Sequence, residues 1–120
     1  MAKILAVDDS PSIRQMVTLV LKSGGHDVVT AENGVEALEF AQDEDVNLVV
    51  TDVHMPEMNG ITLISRLREL GGYRFTPILV LTTESSAEMK AKGKSAGATG
   101  WIVKPFSPDS LLATVDKVLS

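Results

Sequence analysis

Hydrophobic residues along the chain gather into five short runs: "KILAV" (3–7), "DVVTA" (27–31), "NLVVT" (47–51), "PILVL" (77–81) and "GWIV" (100–103). The runs are rich in Val, Ile and Leu, and most lack the apolar–polar alternation of a half-exposed strand. That pattern is expected of parallel strands covered on both faces. Between the runs the period becomes helical. From Pro11 to Ser23, the residues Ile13, Met16, Val17, Val20 and Leu21 make one apolar stripe. Ser10 is placed to cap that helix with Pro11 at its first position, and Gly24-Gly25 ends it. A second helix is predicted from about Gly34 to Gln42, with Val35, Leu38 and Ala41 inward. A third runs from Gly60 to Leu70 on Ile61, Ile64 and Leu67, stopped by Gly71-Gly72. The last starts at Ser107-Pro108 and carries Leu111, Leu112, Val115, Val118 and Leu119. The segment 85–97, "SSAEMKAKGKSAG", is the weak helix, with only Met89 and alanines along its stripe. Gly93 in its middle costs roughly 1 kcal/mol relative to Ala, so this helix is expected to be the most mobile.

Alternating strands and helices predict a doubly wound α/β sandwich with right-handed crossovers. Ligands in such folds sit beyond the carboxyl ends of the strands, where strand order reverses. The residues at those ends are therefore the candidates for chemistry. The first run ends in Asp8-Asp9, the third in Asp52, the fourth in Thr82-Thr83 and the fifth in Lys104-Pro105. Three carboxylates brought together repel one another, so a divalent cation is expected between them. Oxygen donors without cysteine favour Mg²⁺ or Mn²⁺ over zinc. The Lys104 ammonium and the Thr82 hydroxyl would suit the remaining oxygens of a phosphoryl group, whose transfer depends mostly on positioning and charge neutralisation. Asp52 could then act as nucleophile and form an acyl phosphate. The "MPEMNG" that follows carries two chain-turning signals, Met-Pro and Asn-Gly, and leads into the next helix while leaving the site open to solvent.

Each of these residues also has a plainer role. Asp8 or Asp9 could cap the first helix, Asp52 could begin an Asx-turn, Thr82 could be a strand residue and Lys104 a solvated loop charge. Five matching groups at one sheet edge are harder to explain that way, and it is their combination that points to phosphoryl chemistry.

Composition narrows the field further. At 120 residues and 44% hydrophobic content, the chain suits one domain spanning residues 1–120, with a sizeable core. Its net charge of −5 argues against a phosphate-tracking nucleic-acid surface. There is no apolar run long enough to span a membrane, and "MAKILAVDDS" is not a signal peptide. The absence of cysteine excludes disulfides and thiolate metal sites and suits a cytoplasmic protein. His26, in the turn before the second run, receives no functional reading.

"ILAVDDS", "VVTDVHMPEMNG", "ILVLTTE" and "GATGWIVKPF" together resemble the response-regulator receiver domains of two-component signalling, of the single-domain CheY-like kind, over the whole chain. The resemblance implies a flavodoxin-like fold of five parallel strands in the order 2-1-3-4-5 with five helices. It makes Asp52 the acceptor of a phosphoryl group from a sensor histidine kinase. Asp9 and Asp52 would ligate Mg²⁺ directly, with Asp8 acting through water and the main-chain carbonyl of His54 as a further ligand. Thr82 and Lys104 would each hold a phosphoryl oxygen, and Lys104-Pro105 would be a cis peptide. On phosphorylation the Thr82 hydroxyl would move toward the phosphoryl group and Trp101 would swing inward; a plainer role for Trp101 is a packing aromatic. His54 and Glu84 would flank the path of hydrolytic water and tune the lifetime of the phosphorylated state, although His54 also fits an ordinary exposed loop.

The output face implied is the fourth helix, fifth strand and fifth helix, with Lys90, Lys92, Lys94 and Trp101 suited to an acidic partner segment, or the three lysines simply solvated. The chain ends just after the fifth helix, so output is expected through protein contacts by a monomer, with chemotaxis or motility signalling as the usual setting. A phosphate sink or a phosphorelay carrier is the alternative. Two remoter readings are an Mg²⁺-dependent aspartyl-phosphate phosphohydrolase and a flavodoxin-like cofactor binder. The first would want an Asp-x-Asp motif on the first strand, the second a Ser/Thr/Gly-rich loop after it, and "VDDSPS" supplies neither.

Overall fold

In the computed structural model, which describes residues 2–120, the five runs form one parallel sheet. The strands are β1 (Lys3–Val7), β2 (Asp27–Ala31), β3 (Leu48–Thr51), β4 (Ile78–Thr82) and β5 (Gly100–Val103), in the order β2-β1-β3-β4-β5. The helices are α1 (Pro11–Ser23), α2 (Gly34–Asp43), α3 (Gly60–Glu69), α4 (Ala87–Ala96) and α5 (Pro108–Leu119), with a short 3-10 turn at Gly71–Tyr73.

Burial explains why the strands read as continuous apolar runs. In β1, Leu5 and Val7 face α2 and α3, while Ile4 and Ala6 face α1 and α5. In β4, Ile78 and Val80 take the first side, and Leu79 and Leu81 the second. Side chains do alternate, but both faces are covered, so both must be apolar. The outer strands β2 and β5 are less buried than the three inner ones.

Four helices start at a Ser or Asn whose side chain accepts a backbone N–H of the first turn: Ser10 for α1, Asn33 for α2, Ser86 for α4 and Ser107 for α5. The fifth, α3, starts at the Asn-Gly expected to lead the chain into it. Asn59 caps α3, its Oδ1 accepting the Thr62 N–H at 2.9 Å. Gly60 is there for space, because a β-carbon on it would overlap the Asp52 carbonyl oxygen. The tight bend in the same loop is made by Glu57, at φ 69°.

Three inward stripes are shifted from expectation. Met16 is 48% exposed. At about 100° per residue it lies about 90° from the middle of the Val17–Val20–Leu21 face, which puts it at the stripe's edge. In α2 the buried residues are Gly34, Ala37 and Ala41, with Leu38 packed beside them and Val35 half-buried. In α3, Leu63 joins Ile64 and Leu67 inside, and Ile61 is only partly buried. Gly93 does not prevent α4 from forming. It is the one fully buried residue of that helix, and a β-carbon on it would stand 2.5 Å from Trp101 Cζ3. The glycine that weakens the helix is the socket for the indole ring.

Candidate functional site

The central strands β1 and β3 lie side by side, with Val7 paired to Thr51, so Asp8 and Asp52 leave the sheet together. This is the switch point, since β1 connects outward to β2 on one side while β3 continues to β4 on the other. Asp8 and Asp52 are almost fully buried, whereas Asp9 is exposed. One carboxylate oxygen from each of Asp8, Asp9 and Asp52 can be chosen so that all lie within 4.8 Å of one another. This all-oxygen donor set, with one member open to solvent, fits a hard divalent cation such as Mg²⁺.

Lys104 reaches the cluster from the end of β5, with Nζ 2.8 Å from Asp8 Oδ2 and 3.0 Å from Asp52 Oδ2. Its peptide bond to Pro105 is cis. Burial would favour neutral Lys104, but hydrogen bonds and charge attraction from Asp8 and Asp52 raise its pKa above the ordinary value. Burial pushes Asp52 up in turn, yet the Thr82 hydroxyl, the Lys104 ammonium and the Val53 N–H together hold it below the usual carboxylate range. The Asp52 oxygen not bonded to Lys104 accepts the Val53 N–H at 2.6 Å and the His54 N–H at 3.4 Å. Asp52 is thus an ionised carboxylate held in a fixed orientation at the end of an apolar strand.

Thr82 is fully buried and accepts the Glu84 N–H at 3.3 Å, leaving its own hydroxyl proton to donate. Glu84 is a junction between the loops. Its carboxylate lies 3.2 Å from His54 Nε2, and its carbonyl accepts the Trp101 indole N–H at 2.8 Å. The hydrogen bond from His54, then one from Ser86, holds the Glu84 carboxyl below its ordinary range. Trp101 is half-buried against Gly93.

The three lysines separate. Lys90 and Lys94 line a groove of about 310 Å³ with Trp101, whereas Lys92 pairs with Glu88 and lines a different groove beside Ile61 and Ser65 on α3.

Two arginines had no role in the sequence reading. Arg68 fastens the opposite edge of the sheet, where its guanidinium donates to the carbonyls of Tyr73, Arg74, Thr76 and Gly97. Arg14, near the start of α1, donates from Nη1 to the main-chain carbonyl of Asp8 at 2.6 Å. A signal for Arg14 exists, since a cation close to a helix N-terminus opposes the helix dipole and calls for a compensating partner.

The fold and site together define a doubly wound domain with a carboxylate cluster, a lysine and a hydroxyl converging on one aspartate. The response regulator receiver domain family matches residues 4–116. The chain is 52% identical to the structure of Vibrio cholerae chemotaxis protein CheY4 crystallised at pH 4.0, over 98% of each chain, with a TM-score of 0.95. It is 40% identical to the chemotaxis protein CheY homolog of Campylobacter jejuni, over 98% of this chain and 92% of the relative. It is also 33% identical to the response regulator TrrA of Thermotoga maritima in complex with Mg(2+)-BeF, over 98% and 99% of the two chains, with a TM-score of 0.88. The chain belongs to the response-regulator receiver family, and its CheY-like fold and role as a signalling receiver follow. That membership gives the phosphohydrolase and flavodoxin-like readings no support. Among the described residues, no helix is long and apolar enough to cross a membrane.

Proposed function

We propose that Asp52 accepts the phosphoryl group from a phosphohistidine of a sensor histidine kinase, and that the acyl phosphate redirects protein contacts. The observation that carries this is Lys104 Nζ bridging Asp8 and Asp52, 2.8 and 3.0 Å away, within a cluster of three carboxylates. Asp9, Asp52 and the main-chain carbonyl of His54 would hold Mg²⁺ directly, with Asp8 acting through water, and the cation would supply charge neutralisation for the phosphoryl oxygens; Mn²⁺ would suit the same donors.

Attack by an Asp52 oxygen forms the new O–P bond as the P–N bond breaks, and the electron pair leaves with the imidazole, which takes a proton from solvent. Lys104 exchanges one carboxylate partner for a phosphoryl oxygen. Thr82 turns its hydroxyl proton from Asp52 to another phosphoryl oxygen, and that movement is felt at Glu84, whose N–H bonds to the same hydroxyl oxygen. Glu84 carries the change to Trp101 through the indole hydrogen bond, and with His54 it sets how readily water reaches the acyl phosphate. Lys90, Lys94 and Trp101 then offer an acidic segment a face whose shape depends on phosphorylation, while Lys92 stands apart from it. Similarity to chemotaxis proteins of Vibrio cholerae and Campylobacter jejuni supports chemotaxis or motility signalling as the setting of the switch, with the cytoplasm as its compartment in this reading. A phosphate sink or relay carrier would use the same chemistry without the output face.

Intact mass after incubation with acetyl phosphate and Mg²⁺ tests the reading. The wild type should gain one phosphoryl adduct, absent without Mg²⁺ and absent in D52N. An adduct that persists in D52N would reject Asp52 as the acceptor.

A further inference from the structure

Asp8 is held at all of its polar groups. Its N–H donates to the Ala31 carbonyl at 3.2 Å, one carboxylate oxygen accepts the Ser10 N–H at 2.9 Å, and the other meets Lys104. The fourth group, its main-chain carbonyl, accepts Arg14 Nη1 at 2.6 Å. That carbonyl and the Asp9 N–H belong to one planar peptide unit. Fixing the carbonyl therefore fixes the plane from which Asp9 departs, and Asp9 is the one carboxylate of the cluster that is exposed. The Arg14 side chain is only 16% exposed, with Nη2 3.8 Å from Glu32 at the end of β2. It also lines a small void of about 10 Å³ together with Asp8 and Asp52.

We infer that Arg14 is a positioning residue for the cation site: by clamping the Asp8–Asp9 peptide it preorganises Asp9 as a metal ligand, and the β2 end, through Glu32, steadies the clamp. The inference rests on the metal-dependent reading above. Groups that orient metal ligands without touching the metal typically contribute 10–100-fold in affinity.

Charge alone predicts the opposite sign. Arg14 is a cation beside an acidic cluster, so removing it should tighten cation binding if its field were all that mattered. Positioning predicts weaker binding, and predicts that Lys, which keeps the charge and loses the planar fork, does not fully restore it.

The test is calorimetric titration of Mg²⁺ into wild type, Arg14→Met and Arg14→Lys, with thermal midpoints of all three in EDTA. The expected result is a Kd raised about tenfold in Arg14→Met and to a lesser extent in Arg14→Lys. In acetyl phosphate reactions, adduct formation by both variants should return to near the wild-type rate at saturating Mg²⁺. An unchanged or lowered Kd in Arg14→Met overturns the inference, including the case in which only its thermal midpoint falls. Full restoration of the wild-type Kd by Arg14→Lys also overturns it, in favour of charge. Wild type that binds no Mg²⁺ would instead reject the metal-dependent reading, with which the inference falls.

Discussion

The two edges of the sheet each hold a partly buried cation, and they use it differently. At the amino edge, Arg68 donates only to neutral carbonyls, four of them, and joins the end of α3 to residues 73–76 and to Gly97 at the end of α4. The loop it holds is also tied by the Tyr73 hydroxyl, which donates to the Glu44 carbonyl. At the carboxyl edge, Lys104 meets two carboxylates that also belong to a cation-sized cluster, and Asp9 remains open. The first arrangement is complete in itself. The second is the one whose contacts the proposed phosphoryl chemistry would exchange for metal and phosphoryl contacts. A cation bound to neutral carbonyls is suited to holding the fold together, while one bound to ionised carboxylates is suited to the proposed chemistry.

Breaking the amino edge should have the largest effect on stability. Arg68→Met removes all of the guanidinium hydrogen bonds and leaves partly buried carbonyls short of donors, a loss of about 2–3 kcal/mol. Chemical denaturation should show it, together with a thermal midpoint lower by roughly 10 °C. Adduct formation with acetyl phosphate well below that midpoint should stay near the wild-type rate. A loss of adduct in the folded variant would break the comparison by making Arg68 part of the chemistry.

Acid should separate the edges next. The folded site lowers the Asp52 pKa, so ionised Asp52 contributes stability above its unfolded value, about 3.9, that is lost as the pH falls through the folded value. Lys104 has a raised pKa, so its contribution is complete below about 10.4 and is lost only as the pH rises through its folded value. In EDTA, the stability difference between wild type and D52N should be level from about pH 5 to 9 and should shift against the wild type below about pH 4. Arg68→Met should lower stability by a similar amount across both ranges.

Asp9→Asn should invert the usual sign. Asp9 adds negative charge to a cluster that Lys104 only partly offsets, so without Mg²⁺ the variant should be more stable by about 0.5 kcal/mol in urea denaturation. The same substitution should abolish Mg²⁺ binding by calorimetry. A destabilised Asp9→Asn would mean that the cluster is better satisfied without metal than its geometry indicates.

Much of this division was legible along the chain. The strands stood out because both faces of a parallel sheet are apolar, and Asp8, Asp9, Asp52, Thr82 and Lys104 stood out because they interrupt those runs where the strands end. The strand order came from family resemblance, since periodicity does not say which strands are neighbours. What stayed hidden depends on distant partners. Arg68 reads as a surface charge until Gly97 comes beside it, and Gly60 as a turn residue until Asp52 backs onto it. Lys90, Lys92 and Lys94 look equivalent in a charge run, but about 200° of helical rotation separates Lys92 from Lys90.

Helix α4 joins the two edges, and Gly93 is where that connection can be tested most finely. Its first turn lies beyond the Glu84 junction, its end is held through Gly97 by Arg68, and little apolar surface fixes it between them. Gly93→Ala sets two effects against each other. Alanine favours the helix by about 1 kcal/mol, while its methyl group would crowd the indole ring, with a typical overpacking cost of about 1–3 kcal/mol. The net loss of stability should therefore be small, about 1 kcal/mol or less if the ring yields. Trp101 borders the open groove of Lys90 and Lys94, and a ring pushed into it would strain its hydrogen bond to the Glu84 carbonyl. Emission from the sole tryptophan should shift to the red in the unphosphorylated variant, and the further shift on adding Mg²⁺ and beryllofluoride should shrink. Unchanged emission with a stability loss near the upper end of the overpacking range would mean that the indole is held as firmly as the Arg68 edge. The carboxyl edge would then be as rigid as the amino edge, and the contrast between them would fail at Trp101.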